Sequence, residues 1–284
     1  MQSAVLTSGK IVTADEYNPD IHGNSLYCYD VSCKAPVIFV KGGDNVASHF
    51  KTTGKSDENK HHTQCGFYRP LSFFESVNKV QEYQDGMLEG GIKQNIVKIN
   101  FNQLDPDYEP KQINREEKEK KTVDPTDIKI KKESKTTKSI NSLKSIVTLL
   151  TSYDPGILSS IVVQVKDEKI PISKLILHSD TAYSLHWNEE LLEIPYFVFG
   201  KVVRVIRREK VYYILLESHN NSRFSLVIFD KYFKHFTLRD EQLVGKEIIT
   251  YGHLRKNDYN QDMKRSELCI KSDKFLQILT RRGD

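Results

Sequence analysis

The chain has 284 residues, 38% of them hydrophobic and 28% charged, with 42 Lys+Arg against 38 Asp+Glu. That length admits two domains, each with its own core. The net charge of +4 says little about a polyanionic partner, but from Pro195 onward there are 18 Lys+Arg and 11 Asp+Glu, so the positive field belongs to the C-terminal third.

The opening stretch MQSAVLTSGKIVTADEY lacks the basic start and apolar run of an export signal. No stretch approaches the roughly 20 apolar residues of a membrane helix. The expectation is a soluble, cytoplasmic protein with no membrane partner. In that compartment clustered cysteines point to a metal site rather than to disulfides.

In chain order, SAVLTSGKIVTA predicts a hairpin turning at Gly9-Lys10, and SLYCYD and APVIFVKGGDN predict two more short strands, the second ended by Gly42-Gly43. LSFFESVNKVQEYQDGML predicts a helix, with Phe73, Phe74, Val77, Val80 and Leu88 near helical spacing and Ser72 as its cap. QNIVKINFN predicts another strand. Residues 1–104 are therefore expected to form a metal-binding β module with a following helix and strand.

Residues 105–139 are poor in apolar residues and carry mixed charge blocks, so they predict a flexible linker. Over 140–194, INSLKSIVTLLTSYDPG predicts a helix stopped at Asp154-Pro155-Gly156. SSIVVQVKDEKIPISKLIL predicts two strands about Asp167-Glu168-Lys169. SDTAYSLHWNEELL predicts a second helix capped by Ser179 or Asp180. This is a small α/β segment.

The residues 195–284 predict five strands: YFVFGKVVRVIRREK, VYYILLESH, RFSLVIFDKYF, KEIITYGHLRK and SELCIKSDKFLQIL. Gly200 and Gly252 supply the sharp bends of a small barrel. The G-x-V of the first strand and the run LVGKEIITYGHL ahead of the last resemble the anticodon-binding type of OB-fold. The expected fold class is thus α+β and multi-domain: a zinc-ribbon-like β module, a charged linker, a small α/β segment and a five-stranded OB-fold barrel.

Three of the four cysteines lie between Leu26 and Phe67. Cys28 and Cys33 enclose four residues, and Cys65 precedes Gly66, a spacing that suits two tight turns gripping one tetrahedral ion. The fourth ligand is His61 or His62, on the arm of Cys65, or else His49. The favoured set is Cys28, Cys33, His61 and Cys65 around structural zinc, since four protein ligands leave no open position for catalysis. Cys269, in ELCIK, is expected in or near the core.

The elements Ala4, Gly9, Val12, Ala14, Cys28, Cys33, Pro36, Val37, Gly42, His49, Phe50, His61 and Cys65 are similar to the N-terminal region of the CoiA competence-protein family. That resemblance implies a zinc-ribbon module ahead of a nuclease-like domain, and so work on DNA in a bacterial or mobile-element setting. Here the first knuckle is longer, and a linker and barrel follow.

TGKS at Thr53–Ser56 is not a phosphate-binding loop, because His49 stands where the motif needs glycine. Asp154, Gln164 and Lys166 fall roughly where a metal-dependent nuclease places its acid and its Q/E-x-K pair, with glutamine in place of the second carboxylate. On the barrel, Arg204, Arg207, Arg208 and Lys210 surround the first turn. Tyr212 and Phe224 offer rings, and Arg255, Lys256, Tyr259, Lys264 and Arg265 flank the last loop. Alternation lets only one of Tyr212 and Tyr213 face out. Cations at both ends of an aromatic platform are the pattern of a surface for single-stranded DNA or RNA. The expected function is nucleic-acid binding without catalysis, with a protein partner in a DNA-processing complex; an adaptor whose barrel binds a protein, and a nuclease, are the alternatives.

Overall fold

In a computed structural model, the structure describes residues 1–30, 32–43, 46–89, 95–109, 138–152, 155–165, 168–219, 222–259 and 264–279. The N-terminal module consists of β1 (Ser3–Leu6), β2 (Ile11–Thr13), the single turn α1 (Pro19–His22), β3 (Leu26–Cys28), β4 (Pro36–Val40) and β5 (His49–Thr52). The strands form one antiparallel sheet in the order β2-β1-β3-β4-β5. Side chains alternate across a strand, so the register places Val12, Ala4 and Cys28 on one face together with Leu6, Leu26 and Val37. All six are buried, with Phe50, Cys33 and Cys65.

The helix α2 (Phe73–Glu89) begins with a reciprocal cap: Ser72 Oγ accepts from Glu75 N at 3.4 Å, and Glu75 Oε2 accepts from Ser72 N at 2.9 Å. It leads to β6 (Asn95–Ile99). Beyond the linker come β7 (Lys138–Ile140), α3 (Leu143–Ser152), α4 (Pro155–Ser159), β8 (Ile161–Val165) and β9 (Glu168–Pro171). Their sheet runs β7-β6-β8-β9, with β6 parallel to β7 and β8, and β9 antiparallel to β8. The sequence groups α2 and β6 with the first module; in the structure β6 lies between two strands from beyond the linker. Of the linker, residues 110–137 lie outside the described residues.

Buried polar bonds fasten α2 to that unit. Gln84 Nε2 donates to Ser159 O at 3.0 Å while Gln84 Oε1 accepts from Ser173 N at 3.1 Å, and Ser76 Oγ donates to Leu150 O at 2.5 Å. Such groups must be paired because burial removes water as the alternative partner.

The chain continues through α5 (Ile172–Leu175), β10 (Ile176–His178) and α6 (Ser179–Trp187) into β11 (Tyr196–Arg207), β12 (Val211–Leu216) and β13 (Phe224–Phe229). Then come α7 (Asp240–Leu243), β14 (Glu247–Gly252), β15 (Leu254–Asn257), β16 (Arg265–Cys269) and β17 (Leu276–Leu279). The ring of His178 caps α6 by accepting from Asp180 N at 3.3 Å, in place of the expected Ser179 or Asp180. The sheet has eight strands rather than five, in the path β15-β16-β13-β12-β11-β14-β17 with β10 beside β11, and the ladder is not a closed barrel. The difference has three sources. β10 adds a parallel ladder, the segment after β16 adds β17, and the expected fourth strand breaks at His253 into β14 and β15.

β11 serves three neighbours: Tyr196–Lys201 pairs with β14, residues 197–199 also pair with β10, and from Val202 the strand pairs with β12, with an irregularity between Val202 and Arg204. Gly200 lets α6 approach, since a Cβ there would meet Ser179 Oγ at 2.9 Å. One core runs from Phe73 through Leu143, Ile172 and Phe197 to Leu279, so the α/β unit and the C-terminal sheet bury their apolar faces together. Gln84→Ala should lower the unfolding free energy by about 2–3 kcal/mol in urea denaturation, because it strands buried donors and acceptors. An unchanged midpoint would show that these bonds do not hold α2 in place.

Candidate metal centre and nucleic-acid interface

The two cysteine arms meet beneath the N-terminal sheet. Cys28 ends β3, and the chain turns back at once, with Cys33 N donating to Asp30 O at 2.9 Å and Lys34 in the left-handed region at φ 48°. The second arm turns where Cys65 N donates to His62 O at 2.9 Å. These turns bring Cys28 Sγ to 3.7 Å from Cys65 Sγ, and His61 Nδ1 to 3.5 Å from Cys33 Sγ and 3.4 Å from Cys65 Sγ. The four ligand atoms lie within 4.8 Å of one another. Tetrahedral coordination with metal–sulfur bonds of about 2.3 Å requires ligand–ligand edges of about 3.8 Å, so the set fits one metal ion.

The structure resolves the choice among the histidines. His49 turns Nδ1 to Ala47 O at 3.0 Å, and His62 is exposed. Cys28, Cys33 and Cys65 are all buried. The hydrogen bond between Cys28 and Cys65 pulls the Cys65 thiol below its ordinary pKa and pushes Cys28 above it, and burial pushes up Cys33.

Sequence reasoning missed Asp30, between the first two cysteines. Its carboxylate is 0% exposed. It accepts from Ser32 N and Gly66 N, each at 3.0 Å, from the hydroxyls of Ser32 and Tyr83, and it pairs with Lys79 Nζ at 3.0 Å. Burial alone would raise its pKa; the bonds from Ser32, Tyr83, Gly66 and Lys79 outweigh that and hold the carboxyl well below the usual range. One side chain thus joins both ligand turns to α2. Gly66 is needed at this junction, because a Cβ would lie 2.6 Å from the Tyr83 hydroxyl. The available signal was the pattern Asp-x-Ser, a short side chain bonding its own backbone two residues on.

On the C-terminal sheet, cross-strand partners share a face. The register places two rows on the face opposite Ile214, Leu226 and Leu268, termed the outer face: Arg204, Leu215, Ser225, Glu267 and Arg255, and beside it Ile206, Tyr213, Val227 and Cys269; at its centre Ser225, Val227 and Glu267 are buried. Ile214, Leu226 and Leu268 form the matching inner row and are buried. Phe224 falls on that inner face and is 3% exposed, so it belongs to the core and not to a binding surface. Tyr212 also points inward, stacked on Phe233 at 3.7 Å between centroids. The outward ring is Tyr213, with the Arg208 guanidinium 5.9 Å from its centroid. Cys269 is exposed, contrary to the expected position in or near the core, although its strand partner Val227 is buried.

The predicted cations divide into two groups. Arg207 is structural: it donates to Asp240 Oδ1 at 2.7 Å and Leu238 O at 2.8 Å, and lies 4.7 Å from the Tyr212 ring. Arg204, Arg208 and Lys210 are exposed around the first hairpin. At the opposite end, Tyr259 is 100% exposed, and Lys256 and Lys264 approach the ring of Trp187 at 5.3 and 5.2 Å. Arg265 is half-buried opposite Asn257. Trp187, the single tryptophan, gave no periodic signal because it ends α6 and meets the loop only in three dimensions. Asp154 and Lys166 lie outside the described residues, and Gln164 is half-buried in β8.

No protein-family model and no curated protein matches the chain, so the CoiA resemblance rests on its residues alone. Among solved structures, the crystal structure of the S. pombe Stn1-ten1 complex is similar at 13% identity and a TM-score of 0.23, over 32% of this chain and 61% of that one. An aspartyl tRNA synthetase from Entamoeba histolytica is similar at 9% identity and a TM-score of 0.23, over 32% of this chain and 19% of that one. Each likeness spans less than two thirds of the other chain, and function has to be argued from this chain's own residues.

Metal analysis of the purified protein should find an ion that Cys65→Ser loses. Asp30→Ala should cost about 3–5 kcal/mol of stability, the range for breaking a buried ion pair. A thermal midpoint unmoved by Asp30→Ala would contradict its role as the junction.

Proposed function

We propose that the chain is a nucleic-acid-binding protein that holds single-stranded DNA or RNA across the outer face of its C-terminal sheet, with structural zinc in the N-terminal module. The strand order supports an OB-fold reading: β11, β12 and β13 form a meander, β16 is parallel to β13, and the consecutive strands β14 and β15 pair with β11 and β16. Zinc is favoured by the donor set, since three thiols and one imidazole on tight turns suit a closed tetrahedral d10 ion.

The observation that carries the function is the placing of exposed cations and rings at both ends of the C-terminal sheet. Arg208 and Lys210 stand at the turn between β11 and β12, Tyr259 and Lys264 on the loop between β15 and β16, and Tyr213 faces out between them. Bases stack on rings while Lys and Arg follow phosphates. Neither end of the platform requires a catalytic group, so the proposal is a binding protein and not an enzyme. The bacterial DNA-processing setting follows from the CoiA resemblance alone.

A protein partner is a second reading for the N-terminal module. The outer face of its sheet carries Ile11, Val5, Tyr27 and Pro36 in one row, beside a cavity of about 620 Å3 floored by Tyr29 and Tyr83. Among the described residues, no helix is long and apolar enough to cross a membrane.

Fluorescence anisotropy of a labelled single-stranded oligonucleotide tests the function. Affinity should fall steeply with salt as counterions are released, and Arg208→Ala/Lys210→Ala should flatten that slope by about two phosphate contacts. Tyr259→Ala should cost roughly 1–3 kcal/mol if its ring stacks on a base. Absence of binding at low salt, or cleavage that depends on Mg2+, would contradict the proposal.

A further inference from the structure

One cation on the outer face is held unlike the others. Arg255 is 58% exposed, yet its NH2 group lies 2.6 Å from Glu267 Oε2, and the Glu267 side chain is only 3% exposed. The other oxygen, Oε1, accepts from Asn257 Nδ2 at 2.7 Å. Arg255 and Glu267 are direct cross-strand partners. The guanidinium also lies 5.8 Å from the Phe229 ring. Next along the row, Ser225 is fully buried and its hydroxyl has no hydrogen-bond partner in the structure. Arg208, at the far end, has the Tyr213 ring beside it and no ion pair among the described residues.

A residue that only follows phosphate gains nothing from this arrangement. Burying a carboxylate under an arginine costs desolvation, and the pairing cancels most of the charge that would attract phosphate. What the pairing leaves is direction. With one guanidinium nitrogen bonded to Glu267, and Glu267 in turn held by Asn257, the group is restrained while its other N–H donors stay available in a planar fork. Two such donors match the O6 and N7 acceptors of guanine; the other bases do not present two acceptors on that edge.

We propose that Arg255, positioned by Glu267 and Asn257, is a base-selective contact that reads guanine in a strand lying across this face. The proposal rests on the nucleic-acid function proposed above, and it adds sequence preference to what would otherwise be stacking and charge alone.

The test uses the full chain and four labelled oligonucleotides: oligo(dT), and the same strand with one central dG, dA or 7-deaza-dG, the last lacking the N7 acceptor. The readout is the affinity ratio to oligo(dT) at fixed salt. The expected ratio for dG is at least about fivefold, the lower end of the discrimination by one good bidentate pair. For dA and 7-deaza-dG it should fall towards one. Arg255→Lys, which keeps the charge and loses the fork, should bring the dG ratio to about one, and Glu267→Gln should lower it. A wild-type ratio near one for dG, with oligo(dT) still bound, would overturn the base-selective role and leave the binding function standing. A dG preference that survives Arg255→Lys, or that 7-deaza-dG retains, would also overturn it. Failure to bind any of the four strands would remove the nucleic-acid function itself. The 7-deaza comparison needs no variant, so it decides the matter even if a substitution at Glu267 unfolds the sheet.

Discussion

The arrangement of the N-terminal half depends on one buried carboxylate. Asp30 receives the backbone of both metal-ligand turns, through Ser32 and Gly66, and the side chains of Lys79 and Tyr83 from α2. Without these partners an ionised group at 0% exposure would be untenable. With them, the position of the cysteine cluster is tied to the helix, and Gln84 and Ser76 tie the helix to the α/β unit. That unit shares its core with the C-terminal sheet. A chain of satisfied polar contacts and then a continuous apolar core therefore connects the cysteine cluster to the sheet that carries Tyr213 and its flanking cations.

The division of labour follows from size. The first module buries few large side chains, since its core holds Ala4, Ala14, Ala35, three cysteines and only one fully buried ring, Phe50. Small β units of this kind need a staple, and the cluster of Cys28, Cys33, His61 and Cys65 is placed to supply one by holding a metal ion. The C-terminal sheet has the opposite endowment, with Phe197, Ile214, Leu226, Ile248 and Leu268 all at 0% exposure. It can spend its outer face on charged and aromatic groups without losing its core.

Much of this was legible in the sequence. The three cysteines of the candidate set were readable because cysteine is rare and the spacing is constrained by the geometry of one ion; the choice among His49, His61 and His62 was not, since it depends on which ring the fold brings to the cysteines. The hairpin at Gly9, the capped helix from Phe73 and the strands from Tyr196 onward were readable from period and turn chemistry. What was hidden depended on contacts distant in sequence. β6 meets β7 and β8 only across the linker, and Asp30 acquires its role from Gly66 and Tyr83. The inward placing of Tyr212 and Phe224 is not legible, because alternation gives two equal phases, and only the register with Leu226 and Leu268 decides which phase faces in. Arg207 looks like any other loop cation until Asp240 and Leu238 are found beside it.

Hydrogen–deuterium exchange of the full chain, with and without a saturating single-stranded oligonucleotide, is the most direct measurement of the central claim. The account predicts added protection in β12, in the turn at Arg208–Lys210 and in the residues flanking the loop after Asn257, with the N-terminal sheet unchanged. Protection confined to the N-terminal module, or none anywhere at saturating strand, would contradict it.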